Sequence, residues 1–261
     1  MKIKLLQRKA NVEQEHFQTE LDAAICAMAG ALSASARFIS FSKRGWTIIN
    51  VEGDDSEVLV ELLSRKFGLA VSDASKIEQY GNYRGLIQNA APDLLVDVGV
   101  ESPVPVFVKV KSGSFLAQLA DGKKVPPKDV TEFYGMLPEL PVSIRVSKAG
   151  TGETPPEGWL SDSQISLFSD WVVCGLERVQ VFDCLPRQLN YAVRESHLEG
   201  DIISTEQLSL TTHSVVCKVG TNAVGVIPRL GSILRRSKLV PFVPKRIEER
   251  CRAWHSSLVN Q

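Results

Sequence analysis

The sequence predicts an α+β chain of three modules, two βαββαβ units flanking a small β-barrel. Three observations carry that prediction. Residues 1–78 and 151–247 share one order of patterns, strand, helix, strand, strand, helix, strand, read from alternation of period two and stripes of period 3.6. Residues 79–150 change texture to short apolar–polar runs broken by Gly and Pro, the pattern of a small barrel. Between the second and third modules, Lys148–Gly158 holds four Gly or Pro within 150–156 and reads as a linker.

In the first module, Met1–Leu6 reads as a strand with Ile3 and Leu5 on one face. A helix over 12–34 follows, striped by Phe17, Leu21, Ile25, Met28 and Leu32. Arg37–Ser42 and Trp46–Val51 alternate as strands joined by the turn Lys43-Arg44-Gly45. Asp54, three residues before Glu57, has capping-box spacing for a second helix carrying Val58, Leu62 and Phe67. Gly68 stops that helix, and Ala70–Ile77 is expected to return as a fourth strand. Helices on one face leave the other face of the sheet for a ligand or a neighbour.

The barrel strands are read at Tyr83–Gln88, Asp93–Val100, Pro105–Val110 and Val142–Ser147, with short helices at 114–120 and 127–134. The third module opens with a helix at 161–175. It continues through Arg178–Asp183, a helix from Pro186, Asp201–Leu210, His213–Val219, a helix at 222–236 and Leu239–Val243. Pro228 predicts either a later helix start or a kink. The tail, 248–261, continues a helix from Lys245, with Ile247, Cys251, Trp254 and Leu258 opposite Arg246, Arg250 and Arg252.

The 261 residues are 44% hydrophobic, enough for two or three packed cores. Thirty basic and thirty acidic residues cancel overall, but not locally. Residues 151–210 hold three basic and ten acidic side chains, a net of −7, and 211–261 hold nine and two, a net of +7. This asymmetry marks either an interaction face or two offsetting faces of one domain. Cysteines 26, 174, 184, 217 and 251 show no Cys-x-x-Cys spacing, so reduced thiols and no metal site are expected. The charged, alternating N-terminus does not read as a signal peptide, and the apolar run Ala23–Leu32 is half a membrane span. A soluble, cytoplasmic protein without membrane contact is expected.

The βαββαβ order is that of ferredoxin-like domains. In the middle module, the strand order with Asp97-Val98-Gly99 and Phe107-Val108 resembles an S1-type OB barrel over about 65 residues. Across 79–247, Tyr134-Gly135, Leu140-Pro141-Val142, the Cys217-Lys218-Val219-Gly220-Thr221-Asn222-Ala223 turn and Gly225-Val226-Ile227-Pro228 resemble an archaeal family known as a domain of unknown function, the one numbered 2110. That resemblance implies an archaeal, cytoplasmic setting and supplies no catalytic residues.

Candidate binding residues fall in three places. Arg44-Gly45-Trp46-Thr47-Ile48-Ile49 partly resembles the RNP1 signature, whose exposed rings stack bases; here Ile48 takes the second aromatic position and Lys4 stands where the partner ring belongs. Packing is the competing reading of Trp46. The S1 resemblance implies a barrel face carrying Tyr83, Arg84, Phe107, Lys109, Lys111 and Arg145, aromatics and cations suited to tracking a strand. The aromatic usual after the first strand is replaced by Asn89-Ala90-Ala91-Pro92, and Phe107 reads equally as core. Lys218, in the turn before a helix, suits a phosphate contact, although Val226-Ile227 replaces the Lys-Ser/Thr of a nucleotide-hydrolysing loop. Arg229, Arg235, Arg236, Lys238, Lys245, Arg246, Arg250 and Arg252 place eight cations in 24 residues, apt for counterion release from a polyanion. Ordinary helix C-terminal cations are the competing reading.

His213, near Glu206 across a hairpin, is a conceivable proton-transfer pair, but a surface or edge histidine is the simpler reading. No catalytic triad, metal set or cofactor motif stands out. The expected function is a non-enzymatic RNA-binding protein of archaeal information processing, ribosomal RNA among its candidate partners, with barrel and C-terminal cations converging on one track. The alternatives are a protein-interaction adaptor that uses the C-terminal helix, or an RNA-modifying enzyme whose groups assemble from distant segments.

Overall fold

The structure, a computed structural model, describes residues 1–121, 123–151 and 154–251. Arg252, Trp254 and Leu258 of the expected tail stripe lie outside the described residues. The chain is an α+β assembly of a three-stranded antiparallel sheet, a closed five-stranded barrel and a four-stranded antiparallel sheet. Among the described residues, no helix is long and apolar enough to cross a membrane.

The first module runs β1 (Lys2–Arg8), α1 (Gln14–Ala29), β2 (Ala34–Phe41), β3 (Trp46–Gly53) and α2 (Ser56–Phe67), with sheet order β1-β3-β2. Leu5, Ile49 and Val51 meet Phe17, Leu21 and Ile25 of α1 and Leu59, Leu63 and Phe67 of α2. Helix α1 ends earlier than its stripe suggests, because Gly30 (φ 36°) turns its N–H back to the Cys26 carbonyl. The expected capping box does not form. Asp55 is the N-cap, and its Oδ2 accepts from the Ser33 N–H at 2.7 Å, tying the 30–33 turn instead. Val58, expected inward, is 50% exposed.

The expected fourth strand is reduced to one bridge, Leu5 opposite Leu69. The Ala70 N–H reaches the Lys4 carbonyl, but the Val71 N–H bonds to Val98 of the barrel, so the chain leaves β1 after one rung. Gly99 (φ 89°) permits that approach, since a Cβ there would lie 2.3 Å from the Ala70 Cβ.

The barrel comprises β4 (Asn82–Asn89), β5 (Leu94–Val100), β6 (Val106–Val110), α3 (Ser112–Leu119), α4 (Pro127–Phe133), β7 (Pro141–Lys148) and β8 (Glu157–Leu160). It closes in the order β4-β5-β6-β8-β7, with β6 and β8 parallel. That five-stranded closure is the OB arrangement. Strand β8 follows the expected linker, so the Gly/Pro-rich stretch joins two strands of one barrel. Val96, Val98, Val108, Val110, Ile144, Val146 and Leu160 fill the interior. Helix α5 (Asp162–Val173), capped by Ser161 Oγ on the Gln164 N–H, packs Phe168 and Trp171 onto this same core.

The third module is β9 (Arg178–Phe182), α6 (Pro186–Glu195), β10 (Ile202–Gln207), β11 (Thr212–Cys217), α7 (Ala223–Ile233) and β12 (Lys238–Phe242), followed by α8 (Pro244–Arg250). Its order, β10-β11-β9-β12, is that of a complete ferredoxin-like sheet. Asn222 caps α7 through its side chain and Pro228 lies inside the helix, so the later start is not what accommodates the proline. Helices α6 and α7 cover Val179, Val181, Val215 and Cys217. The opposite sheet face is spent on the barrel. Phe182 and Phe242 join Tyr134, Phe168 and Trp171, and Gln180 Nε2 donates to the Tyr134 carbonyl at 3.1 Å. Gly135 (φ 64°) makes room, because a Cβ there would lie 2.1 Å from Gln180 Oε1.

Two polar side chains knit all three modules. Buried Gln7 of β1 donates to the Leu6 and Phe67 carbonyls and accepts from the Leu210 N–H at 2.7 Å. Arg84 of β4 donates to the carbonyls of Arg65 and Lys66 at the end of α2, and at 2.6 Å to that of Leu208. Burial lowers the pKa of its guanidinium. Arg84→Met should cost about 2 kcal/mol in urea unfolding, because charged donors stabilise by roughly 1.5–3 kcal/mol and the carbonyls left behind lose their partner.

His213 corrects the expectation of a surface or edge histidine. It is 2% exposed on central strand β11, and its Nε2 meets the Cys184 carbonyl at 2.8 Å. A carbonyl only accepts, so Nε2 carries the hydrogen. Glu206 does not pair with it; that carboxylate binds Arg178 at 2.7 Å. Burial pulls the His213 pKa from 6.5 to about 4. The unfolded chain therefore takes up a proton first as pH falls. Stability is unaffected above about pH 6.5 and declines between there and about 4, by about 3 kcal/mol in total. His213→Gln should flatten this part of the stability–pH profile in denaturant titrations.

Candidate nucleic-acid interface

The RNP1-like residues of the first module are buried where it meets the barrel. Trp46 is 0% exposed and packs with Leu6, Ala70 and Leu86, with the Arg8 guanidinium 3.8 Å from its ring centroid. Arg8 Nη2 reaches Asp97 Oδ2 at 2.6 Å and its Nη1 reaches Glu139 at 3.1 Å. Arg44 donates to the same Asp97 carboxylate and to the Val100 carbonyl. Burial outweighs Arg8 at Glu139 and raises the pKa of that carboxyl. Lys4 donates to the Gly99 carbonyl at 2.7 Å and to Glu101, whose other oxygen accepts from Ser42. The Arg-Gly-Trp and Asp-Val-Gly phrases thus meet each other at the junction of the first module and the barrel.

The barrel residues divide into two groups. Tyr83 donates to the Lys76 carbonyl and accepts from the Glu78 N–H, both at 2.8 Å, so its ring serves the 74–78 turn. Arg84 is occupied as described. The other four project outward on the side formed by β6, β8 and β7. Phe107 and Lys109 alternate on β6, Glu157 and Trp159 on β8, and Ser143, Arg145 and Ser147 on β7. Register places Lys109 opposite Glu157 and Arg145 opposite Trp159. Lys109 pairs with Asp93 at 2.9 Å and Lys111 with Glu157 at 2.7 Å. These lysine hydrogen bonds are the main reason the Asp93 and Glu157 pKa values are lowered. Arg145 lies 5.9 Å from the ring of Tyr80, which is 58% exposed, and its buried Nε has no hydrogen-bond partner among the described residues. Arg44 lies 4.9 Å from the Phe107 centroid and covers part of that ring. Trp159 and Tyr80 are the aromatics that sequence reading missed.

The cations of the third module fall at two ends of its sheet and do not form one track among themselves. Lys238 pairs with Phe182 at one end of the sheet and Phe242 with Arg178 at the other. Arg235, Arg236 and Lys238 belong to the first end, Lys218, Lys245 and Arg246 to the second, roughly 15 Å away at 3.3 Å per strand residue. Arg229 is spent on Asp201 at 2.9 Å and on the Ser196 and His197 carbonyls, closing the end of α6. Arg246 lies over Phe133 at 4.6 Å.

Burial pushes the thiols of Cys184 and Cys217 up to about 12 and about 11, so both stay protonated and unreactive at neutral pH. Among the described residues, no group of three or more His, Cys, Asp or Glu is placed to hold a metal ion.

No curated protein matches this chain. Residues 176–241, spanning β9 through most of β12, match the family model of the DUF2110 C-terminal domain, so the ferredoxin-like third module is similar to that family.

Proposed function

We propose that the chain is an RNA-binding protein of archaeal, cytoplasmic information processing that works without catalysing a reaction, holding single-stranded RNA on the β6–β8–β7 face of an S1-like barrel. The observation that carries this reading is one outward surface displaying Trp159, Phe107 and Tyr80 beside Lys109, Lys111 and Arg145. Rings stack bases of any sequence and the cations meet phosphates. Translation or ribosomal RNA is the setting that suits such a sequence-tolerant face.

The test is a fluorescence-anisotropy titration of a single-stranded RNA 12-mer at several salt concentrations. With three cations engaged, log affinity should fall against log salt with a slope of about −2. Absence of binding at low salt would refute the proposal. Asp93 and Glu157 compete with phosphate for the two lysines, so Asp93→Asn with Glu157→Gln should tighten binding by up to about fivefold, the scale of two exposed ion pairs.

A second reading, a protein adaptor, draws on exposed apolar side chains at one end of the four-stranded sheet. Val173 is 77%, Val219 88% and Val224 56% exposed, and Glu177 ties the β11 end and the α7 start together there. A pull-down that survives nuclease treatment and is lost in Val173→Ser, Val219→Ser would favour it.

A further inference from the structure

We propose that a cleft between the first and third modules, away from the barrel face, is a binding site for a nucleoside phosphate. The cleft lies between the start of α1, helix α6 and the α7–β12 loop, and consists of two adjoining cavities of about 390 and 340 Å³ that share His16, Gln188 and Tyr191. Pockets of this size accept a mononucleotide.

Its walls carry Arg187, Arg235 and Arg236 beside Glu13, Glu20 and Asp183. Each carboxylate on the walls is already engaged: Glu20 with Arg187 at 2.7 Å, Asp183 with the Asn11 amide at 2.9 Å, and Glu13 with His16 at 3.5 Å. Arg235 and Arg236, exposed side by side on the rim, have no carboxylate partner among the described residues; Arg235 spends only its Nε, on the Ser232 carbonyl. Two free guanidinium groups match the fork geometry of a phosphate. Tyr191, 59% exposed on α6 and common to both cavities, offers a ring for a base. The rim is held in place from both modules, since Asp183 accepts from Asn11 through its carboxylate and from Ser237 Oγ through its carbonyl at 3.1 Å.

The ligand can be a free nucleotide or the phosphorylated end of an RNA chain, and two probes separate these sources. Calorimetric titration of the full chain with adenosine 5′-monophosphate is one; competition between a 5′-phosphorylated and a 5′-hydroxyl RNA 8-mer is the other. Binding of the monophosphate, or at least a tenfold preference for the phosphorylated 8-mer, supports the site, the first pointing to the free nucleotide and the second to the chain end. In either case Arg235→Glu with Arg236→Glu should abolish the effect and Tyr191→Ala should weaken it at least tenfold. These side chains are exposed, and unchanged thermal unfolding of the variants confirms that their fold persists. No monophosphate binding together with no discrimination between the 8-mers overturns the proposal, as does binding that the arginine or tyrosine changes leave unaltered. Monophosphate binding and the preference between the 8-mers are measured apart from the salt-dependent 12-mer titration of the barrel face, so failure here and failure of the barrel reading are read separately.

Discussion

Asp97→Ala should lower the free energy of unfolding by about 3–5 kcal/mol, the cost of removing one partner from a buried ion pair. Asp97 is 0% exposed and receives Arg8, Arg44 and, at 3.0 Å, the Gly99 N–H. Its loss leaves two guanidinium groups and a backbone donor facing a void at the junction of the first module and the barrel. The Arg8 and Arg44 side chains keep 14% and 20% of their exposure, so partial rehydration places the effect toward the lower end. Arg8 also flanks Trp46, so its displacement opens the apolar part of the same junction. Urea unfolding followed by tryptophan fluorescence measures the loss; an unchanged midpoint would show that the junction does not depend on this carboxylate.

Trp159→Ala should weaken single-stranded RNA binding by roughly 10- to 100-fold, as expected for a stacking ring contributing about 1–3 kcal/mol per base. Phe107→Ala should weaken it less, because Arg44 already covers part of that ring. Neither change removes a residue of the barrel interior, so circular dichroism and the thermal midpoint should stay close to those of the unmodified chain. Tyr83→Phe serves as the contrast. It should leave RNA affinity unaltered, since the hydroxyl it removes serves the 74–78 turn. RNA affinity unaffected by Trp159→Ala would remove the barrel face from the proposal.

The architecture was legible in the sequence because long stripes and alternating strands carry strong periodicity. Phe17, Leu21 and Ile25, or the strands of the third module, bury the faces their spacing predicts. The misread segments are those where a few tertiary bonds decide the outcome. Ala70–Ile77 alternates well enough for a strand, yet one bond from Val71 to Val98 draws it away from β1. Strand β8 spans only Glu157–Leu160 behind a Gly/Pro-rich stretch, too short for a period-two signal, and with it Trp159 was overlooked.

The candidate site was less legible for a related reason. Residue type alone does not tell a ligand contact from an internal tie. Arg44, Trp46, Arg84 and Arg229 fit nucleic-acid recognition in sequence, and each is occupied within the fold. Lys109 and Lys111, named from the barrel resemblance, are held by Asp93 and Glu157, partners that residue type alone does not announce. Nothing in sequence spacing foretold that Arg235 and Arg236 line one cleft with Tyr191, because its walls combine α1 of the first module with α6 and the α7–β12 loop of the third.

The most direct test of the central claim is to crosslink a 4-thiouridine-bearing single-stranded RNA to the full chain and identify the modified peptides by mass spectrometry. The account predicts adducts on the peptides carrying Phe107 and Trp159, lost when unlabelled RNA competes. Adducts confined to other surfaces, or none at all under low salt, would contradict it.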